Sequence, residues 1–152
     1  MSYEQNLADL GITLSDAPAP AANYVPYVQT GNLVFVSGQI SMGPDGIIKG
    51  KLGDGMSVED GQAAARQCAI NLINQLNSAC GGDLNKLKRV VKLNGFVNST
   101  LEFTDHPAVI NGASDLMVEV FGDAGKHARA AVGCSSLPFG VAVEVEGIFE
   151  LA

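Results

Sequence analysis

The sequence predicts a single α+β domain in which two helices pack on one face of a mixed β-sheet. The chain has 152 residues, the length of one domain, and 47% of them are hydrophobic, which is enough for a core. Two segments carry apolar residues at helical spacing, and five have the character of strands. They follow one another in the order β-β-α-β-α-β-β after an N-terminal arm over residues 1–21, and no internal repeat divides residues 22–152.

The N-terminal arm begins with a predicted short helix over residues 2–11. Ser2 and Gln5 have the spacing of a capping box, and Gly11 is typical of the residue that follows a helix. Residues 15–23 contain two prolines, which fix φ and keep the preceding residues out of the helical region. An extended linker is therefore expected there.

Two apolar runs, residues 24–30 and 33–40, flank Gly31-Asn32 and predict a β-hairpin. Residues 42–57 contain five glycines and predict a long loop, with room for a short strand at Ile47-Ile48.

The two helices are predicted from their caps and their apolar stripes. Ser57 is the expected N-cap of the first, Gly81-Gly82 ends it, and its stripe consists of Ala65, Cys68, Ala69, Leu72, Leu76, Ala79 and Cys80. The second is expected over residues 104–122 with Pro107 in its first turn. Its stripe consists of Ile110, Ala113, Met117, Val120 and Phe121.

The remaining strands are predicted at residues 89–97, 128–134 and 141–149. A turn at Leu137–Gly140 is expected to fold the last strand back beside the one before it. In that last strand the valines alternate with Glu144 and Glu146, so the two kinds of residue occupy opposite faces. Two helices can cover only one face of the sheet, and a partner subunit is the expected cover for the other.

An arginine and a carboxylate are the first candidates for chemistry. If the last two strands form a hairpin, Arg129 lies roughly opposite Glu146 or Gly147 and close to Glu144. One interpretation is an arginine fork that binds a substrate carboxylate while the glutamate orients or deprotonates a water. The other is a cross-strand ion pair that only stabilises the hairpin. Spacing alone favours the ion pair.

Other residues are candidates for a binding site, but for each of them the sequence alone favours a purely structural role. Tyr24 and Tyr27 can wall a pocket or simply pack. Ser37 and Gly38 can allow the backbone to approach a ligand, or mark a bulge. Asn111, followed by glycine inside a predicted helix, can face a site or be tolerated early in the helix.

Composition excludes several classes of function. Nine basic and 16 acidic residues give a net charge of −7, which disfavours binding to a nucleic-acid backbone. No apolar run is long enough to span a membrane, and the N-terminus lacks the pattern of a signal peptide. Three widely spaced cysteines and two histidines predict neither a disulfide framework nor a metal site, and they fit the reducing cytoplasm. His127 adjoins Arg129 and would share its face only in a strand that begins by residue 127.

Three sets of residues carry a resemblance to a known family. They are Pro26-Tyr-Val-Gln29, Val36-Ser-Gly-Gln-Ile40, and the C-terminal pattern that runs from Ala128-Arg129 through Leu137-Pro138 to Val143-Glu-Val-Glu-Gly-Ile148. Together they resemble the RidA/YjgF family, also described as endoribonuclease L-PSP or translation inhibitor. The resemblance runs from about residue 22 to residue 151.

The resemblance implies a chorismate-mutase-like fold of the bacillus type, assembled as a homotrimer with clefts between subunits. It implies hydrolysis of reactive enamines and imines to 2-keto acids and ammonia, without metal or cofactor. Arg129 matches the family arginine that pairs with the substrate carboxylate, and Glu144 matches the glutamate that positions water. The remaining matches, which would line the cleft, are Tyr27, Ser37, Gly38 and Asn111.

Three departures from the family pattern leave alternatives open. The family's cysteine two residues after the arginine is Ala131 here, and the chain has about twenty extra N-terminal residues and a longer loop at 42–57. A non-catalytic trimer that binds a small carboxylate or has a regulatory role is therefore the second hypothesis. An endoribonuclease is the third, because the acidic charge and the lack of a histidine pair argue against it.

Overall fold

The computed structural model describes residues 2–15 and 23–152. The predicted linker and the predicted boundary at residue 21 fall largely on residues 16–22, which lie outside the described residues. The described helices are α1 (Tyr3–Asp9), α2 (Val58–Ala79) and α3 (His106–Phe121). The strands of the main sheet are β1 (Tyr27–Thr30), β2 (Leu33–Ile40), β7 (Leu87–Asn98), β8 (Ala128–Cys134) and β9 (Val143–Leu151).

The five main strands form one sheet in the order β1-β2-β9-β7-β8. Every neighbouring pair is antiparallel except β7 and β8, which are parallel, so the sheet is mixed as predicted. Helix α2 packs on β2 and β9, and α3 packs on β7 and β8. The predicted α+β architecture, with two helices on one face, is confirmed for the part of the chain described.

The predicted hairpin between the last two strands is wrong. Strand β8 pairs only with β7, and β9 lies on the other side of β7, between β7 and β2. The chain reverses direction between β8 and β9 but crosses over β7 on the way. Val141 bridges to Lys49, and the Ala142 carbonyl accepts a hydrogen bond from Asn98 N at the end of β7. These contacts carry the chain across the end of β7.

The helix caps and stripes follow the sequence predictions. Ser2 Oγ and Ser57 Oγ each accept a hydrogen bond of 3.1 Å from the backbone N–H three residues later. The reciprocal half of the predicted capping box is absent, because Gln5 Nε2 donates to Asp9 instead. Every predicted stripe residue is buried except Ala79, which is half-buried.

The predicted loop over residues 42–57 contains four strands of two residues each. Strands β3 (Met42–Gly43) and β4 (Gly46–Ile47) form a small hairpin, so the strand expected at Ile47-Ile48 lies one residue earlier. Strands β5 (Lys51–Leu52) and β6 (Gly55–Met56) form a second small pair.

The face of the sheet opposite the helices presents apolar side chains to solvent. Val28, Phe35 and Val132 are 53%, 42% and 47% exposed, although β-branched and aromatic residues of a sheet usually pack on something. These values are consistent with a second chain covering this face. That partner subunit stays a prediction.

Candidate active site

Arg129 lies on β8, at one edge of the sheet, and points to the helix side. It pairs with Leu93, a fully buried residue on the helix face of β7, and neighbouring strands place paired side chains on the same face. Arg129 Nη1 donates to Asn111 Oδ1 at 2.7 Å and to Ser114 Oγ at 3.2 Å, both on α3. The guanidinium is therefore held against α3 through one of its two amino groups.

The acceptors that hold Arg129 are neutral. Among the described residues three ion pairs occur, and none includes Arg129. The ion pair with Glu144 or Glu146, weighed as an alternative from the sequence, is therefore absent, because it depended on the wrong hairpin. No hydrogen bond within the described residues uses Nη2 or Nε of this exposed side chain. Those donors can take a carboxylate in a bidentate fork.

Glu144 lies on β9 and points to the opposite side of the sheet. Its neighbours in the chain, Val143 and Val145, are fully buried under the helices, whereas Glu144 and Glu146 are half-buried on the other face. Glu146 Oε2 accepts a hydrogen bond of 3.1 Å from Asn94, but within the described residues Glu144 has no such partner. Burial, with the charge of Glu146 added, raises the pKa of Glu144 above its ordinary value.

Gly38 provides the space that the Glu144 carboxylate occupies. The register between β2 and β9 shifts between Val36 and Gln39, so Ser37 and Gly38 form a bulge. A Cβ at Gly38 would lie 2.9 Å from Glu144 Cδ and 3.0 Å from its Oε2. The bulge interpretation of Gly38 is therefore confirmed. The space at this glycine is occupied by the Glu144 side chain, and approach of a ligand to the backbone there stays a prediction.

Ser37 and Tyr27 are less directly connected with the two charged groups. Ser37 Oγ donates to the Pro26 carbonyl at 2.9 Å, and Tyr27 Oη lies 3.4 Å from Ser78 Oγ at the end of α2. Strand β1 begins at Tyr27, so Tyr24, which was expected in the strand, precedes it.

The predicted site residues form two groups that one protomer keeps apart. Arg129 and Asn111 are at one edge of the sheet on the helix face. Glu144, Ser37 and Gly38 lie around β2 and β9. Arg129 and Glu144 are on strands that flank β7, and their side chains point to opposite faces of the sheet. Tyr27 lies farther from Arg129, because the two residues end the same row of paired residues, Tyr27–Val36–Gly147–Leu93–Arg129. Four strand spacings separate them, about 19 Å.

A cavity of about 890 Å³ lies beside Ser37 and Gly38, where β2 extends past the start of β1. Its described walls include Ile40 of β2 and Gln75 of α2. Gln75 is buried, and its Oε1 has no hydrogen-bond partner among the described residues. The cavity offers apolar surface with a few polar atoms, which is typical of a site for a small organic ligand.

The sequence pattern did not identify Ser114 as a neighbour of Arg129, or His127 as a neighbour of Ser114. Strand β8 begins at Ala128, so His127 precedes it, yet its Nε2 lies 2.9 Å from Ser114 Oγ. Ser114 lies inside α3 and belongs to no motif, so no sequence signal marked it. No group of three or more His, Cys, Asp or Glu side chains within residues 2–15 and 23–152 is arranged to bind a metal. Across the same residues, each helix is too short or too polar to cross a membrane.

Known proteins match this chain over most of its length. The family described as "YjgF/chorismate_mutase-like, putative endoribonuclease" matches residues 4–150. The Trypanosoma cruzi protein TCP17 is 53% identical over 148 residues, which are 96% of this chain and 92% of TCP17. A Salmonella typhimurium protein named 2-iminobutanoate/2-iminopropanoate deaminase is 34% identical over 145 residues, covering 90% of this chain and 94% of that protein.

Two solved structures show how closely the backbone follows its relatives. The Agrobacterium tumefaciens protein Atu1372, of unknown function, has a TM-score of 0.92 and 48% identity, covering 99% of this chain and 94% of its own. TdcF from E. coli, solved with bound serine, has a TM-score of 0.61 and 26% identity, covering 90% and 94%. The backbone therefore agrees more closely with Atu1372 than with TdcF.

Proposed function

The chain belongs to the YjgF/chorismate-mutase-like family and has the fold of that family. From this membership and the geometry above, we propose that the protein hydrolyses 2-imino acids and the related enamines to 2-keto acids and ammonia. The observation that carries the proposal is the environment of the Arg129 guanidinium. Its guanidinium is fixed by neutral oxygens and has no acidic partner within the described residues. A cation held in that way is available to an anionic substrate.

Arg129 would bind the α-carboxylate of the substrate. Nη2 and Nε present two parallel donors, which match the two oxygens of a carboxylate. The serine bound to TdcF is also a small molecule with a carboxylate, so a relative with this fold binds that class of ligand. Both the imino acid and the keto acid carry the same group, and Arg129 would hold it throughout the reaction.

Glu144 would act as the base for water. The water oxygen bonds to the iminium carbon, the electrons of the C=N double bond go to nitrogen, and Glu144 accepts the proton that the water loses. Glu144 then gives that proton to the nitrogen of the carbinolamine, the C–N bond breaks, and ammonia leaves with the bonding electrons. The hydroxyl oxygen forms the carbonyl as Glu144 takes its remaining proton, which then passes to ammonia. A pKa raised towards neutral pH makes Glu144 a stronger base than an ordinary glutamate.

The site would be completed by a second copy of the chain. Arg129 and Asn111 from one protomer would face Glu144, Ser37, Gly38 and Tyr27 of its neighbour, since one protomer keeps these groups apart. The exposed apolar residues on the helix-free face favour association. A homotrimer with three clefts, as the resemblance implies, is the assembly that we propose.

The proposed chemistry needs neither metal nor cofactor, because an iminium carbon is already electrophilic and a fixed carboxylate with an oriented water is sufficient. The substrate's side chain would extend into the cavity beside Ser37 and Gly38. We place the reaction in the cytoplasm, where the three cysteines, which are free thiols here, would stay reduced.

The test is an imine-hydrolysis assay. An amino-acid oxidase generates imino acids in situ, and the release of keto acid is followed with and without the protein. We expect clear acceleration by wild type, none by Arg129→Ala, and a large loss in Arg129→Lys, which keeps the charge without the fork. Arg66→Ala is the matched control, because Arg66 contacts Glu119 on the helix surface at 3.5 Å. Full activity of Arg129→Ala in a folded protein would contradict the site assignment.

A non-catalytic carboxylate-binding protein is the second candidate. It is favoured by Ala131, which replaces the family cysteine. Binding of 2-oxobutanoate that requires Arg129, with no acceleration of any imine, would establish it. The net charge of −7 argues against an RNA substrate, because an excess of acidic residues repels a phosphate backbone.

A further inference from the structure

Hydrogen bonds connect Arg129 to the backbone just before β8. His127 Nδ1 lies 2.6 Å from the Gly125 carbonyl oxygen, and His127 Nε2 lies 2.9 Å from Ser114 Oγ. Arg129 Nη1 donates to the same Oγ at 3.2 Å. Gly125 is fixed in turn, because a Cβ there would meet the Met117 carbonyl of α3. The connection therefore ends on closely packed backbone.

The chemistry of the groups fixes the direction of each hydrogen bond. A carbonyl oxygen can only accept, so Nδ1 of His127 must carry a proton. Burial, opposed in part by the Gly125 hydrogen bond, lowers the pKa of His127, and the charge of Arg129 lowers it further, so the ring is neutral at pH 7. A neutral ring with a proton on Nδ1 accepts at Nε2. Ser114 therefore donates its one hydrogen to His127 and turns its lone pairs to Arg129.

We infer that His127 and Ser114 are positioning residues that orient the Arg129 guanidinium for the substrate carboxylate, which rests on the function proposed above. Asn111 alone would give Nη1 one acceptor and leave the guanidinium plane free to rotate. The second acceptor, whose lone pairs are aimed by His127, fixes that plane. Nη2 and Nε then face outward in a set direction.

An exposed arginine on an edge strand needs such support. Its long side chain has considerable rotamer entropy, part of which would be lost on binding the carboxylate unless the side chain is already ordered. Ordering in the unbound protein moves that cost out of the binding step, so affinity for the carboxylate increases. The loss of the support should therefore weaken binding more than it slows the chemical step.

The experiment compares the two serine–histidine contacts of the chain. Ser114→Ala removes the hydroxyl between His127 and Arg129, and Ser114→Thr restores a hydroxyl at the same place. Ser99→Ala is the matched control, since Ser99 Oγ lies 3.1 Å from His106 Nε2 in a contact that does not include Arg129. For each variant KM and kcat for imine hydrolysis are measured, together with the Kd for 2-oxobutanoate by calorimetry.

We expect Ser114→Ala to raise KM and Kd about tenfold, the size of a lost hydrogen bond to a charged group, with kcat changed little. Ser114→Thr and Ser99→Ala should remain close to wild type. Nitrogen-15 NMR of wild type at pH 7.5 should show the His127 ring with its proton on Nδ1. A ring with its proton on Nε2 would overturn the inference.

The failures of the two proposals can be told apart. If wild type hydrolyses imines and Ser114→Ala has unchanged KM and Kd, the positioning role is wrong and the proposed function stands. If wild type binds 2-oxobutanoate without hydrolysing imines, the proposed function is wrong and the Kd values still decide the positioning role. If wild type does neither, both are wrong.

Discussion

Gly38→Ala tests whether Glu144 acts from the position that the structure gives it. The new Cβ would lie 2.9 Å from Glu144 Cδ and 3.1 Å from its Cγ. Because carbon atoms in contact sit about 3.5 Å apart, the carboxylate must move by about 0.6 Å. The backbone at Gly38 has no positive φ, so alanine fits it without strain and only the Glu144 side chain has to move.

A general base that is displaced by a fraction of an ångström loses alignment with the water that it deprotonates. Since a displacement of about 1 Å can reduce a rate a hundredfold, we expect kcat for imine hydrolysis to fall about tenfold. KM should change little, because the carboxylate of the substrate is bound by Arg129. The assay is steady-state keto-acid release, with unfolding in urea as a measure of stability.

Gly43→Ala is the matched control. Its Cβ would lie 2.9 Å from Gln67 Oε1, also the end of a flexible side chain. Both residues line the cavity, so this variant can change KM, but Glu144 keeps its position and kcat should be unchanged. Both variants should unfold within about 1 kcal/mol of wild type. A wild-type kcat in Gly38→Ala, or an equal loss in Gly43→Ala, would refute the argument that Glu144 acts beside this bulge.

Three further predictions concern stability and reactivity. The pKa of Glu144 is raised in the folded state, so ionisation of this residue lowers the stability of the protein as pH rises from below 4.5 through the folded pKa. Glu144→Gln should therefore be more stable than wild type in urea at pH 7, and this advantage should vanish at pH 4. Gly112→Ala should lower the free energy of unfolding by about 1–3 kcal/mol in the same assay, because its Cβ would meet the Gln62 carbonyl where α2 and α3 pack. Half-buried Cys134 should react with a thiol reagent in the native protein. Cys68 is buried, which raises the pKa of its thiol, and it should react only on unfolding. Rapid labelling of Cys68 in the native protein would contradict its buried position.

Local patterns predicted the helices and most strands. Ser57 caps α2 as expected, and the stripe from Ala65 to Leu76 is fully buried, because a helix of that length must bury one face. Gly112 shows the limit of this approach. Its place inside a helix has no local reason, and only the contact with α2 explains why a side chain is excluded there.

Non-local pairing could not be predicted from the same patterns. The turn at Leu137–Gly140 suggested a hairpin, but strand alternation in residues 128–134 and 143–151 is equally consistent with strands that do not touch. The position of β9 between β2 and β7 depends on contacts such as Val141 with Lys49, which are distant in sequence. Arg129 and Glu144 were selected as candidates through a wrong neighbour relation, and the structure replaces that relation with two separate groups. Their roles in a site stay a prediction.

That separation gives the last prediction, which concerns Arg129→Ala and Glu144→Gln together. Each variant alone should be inactive. If every site takes its arginine from one subunit and its glutamate from the next, an equimolar mixture that is unfolded and refolded together forms some sites with both wild-type groups. Each group is wild type in half of the subunits, so about a quarter of the sites should be active in any closed ring. The measurement is imine hydrolysis before and after joint refolding, with each variant refolded alone as the control. If both groups came from one subunit, no mixture could restore activity, because every subunit would lack one of them.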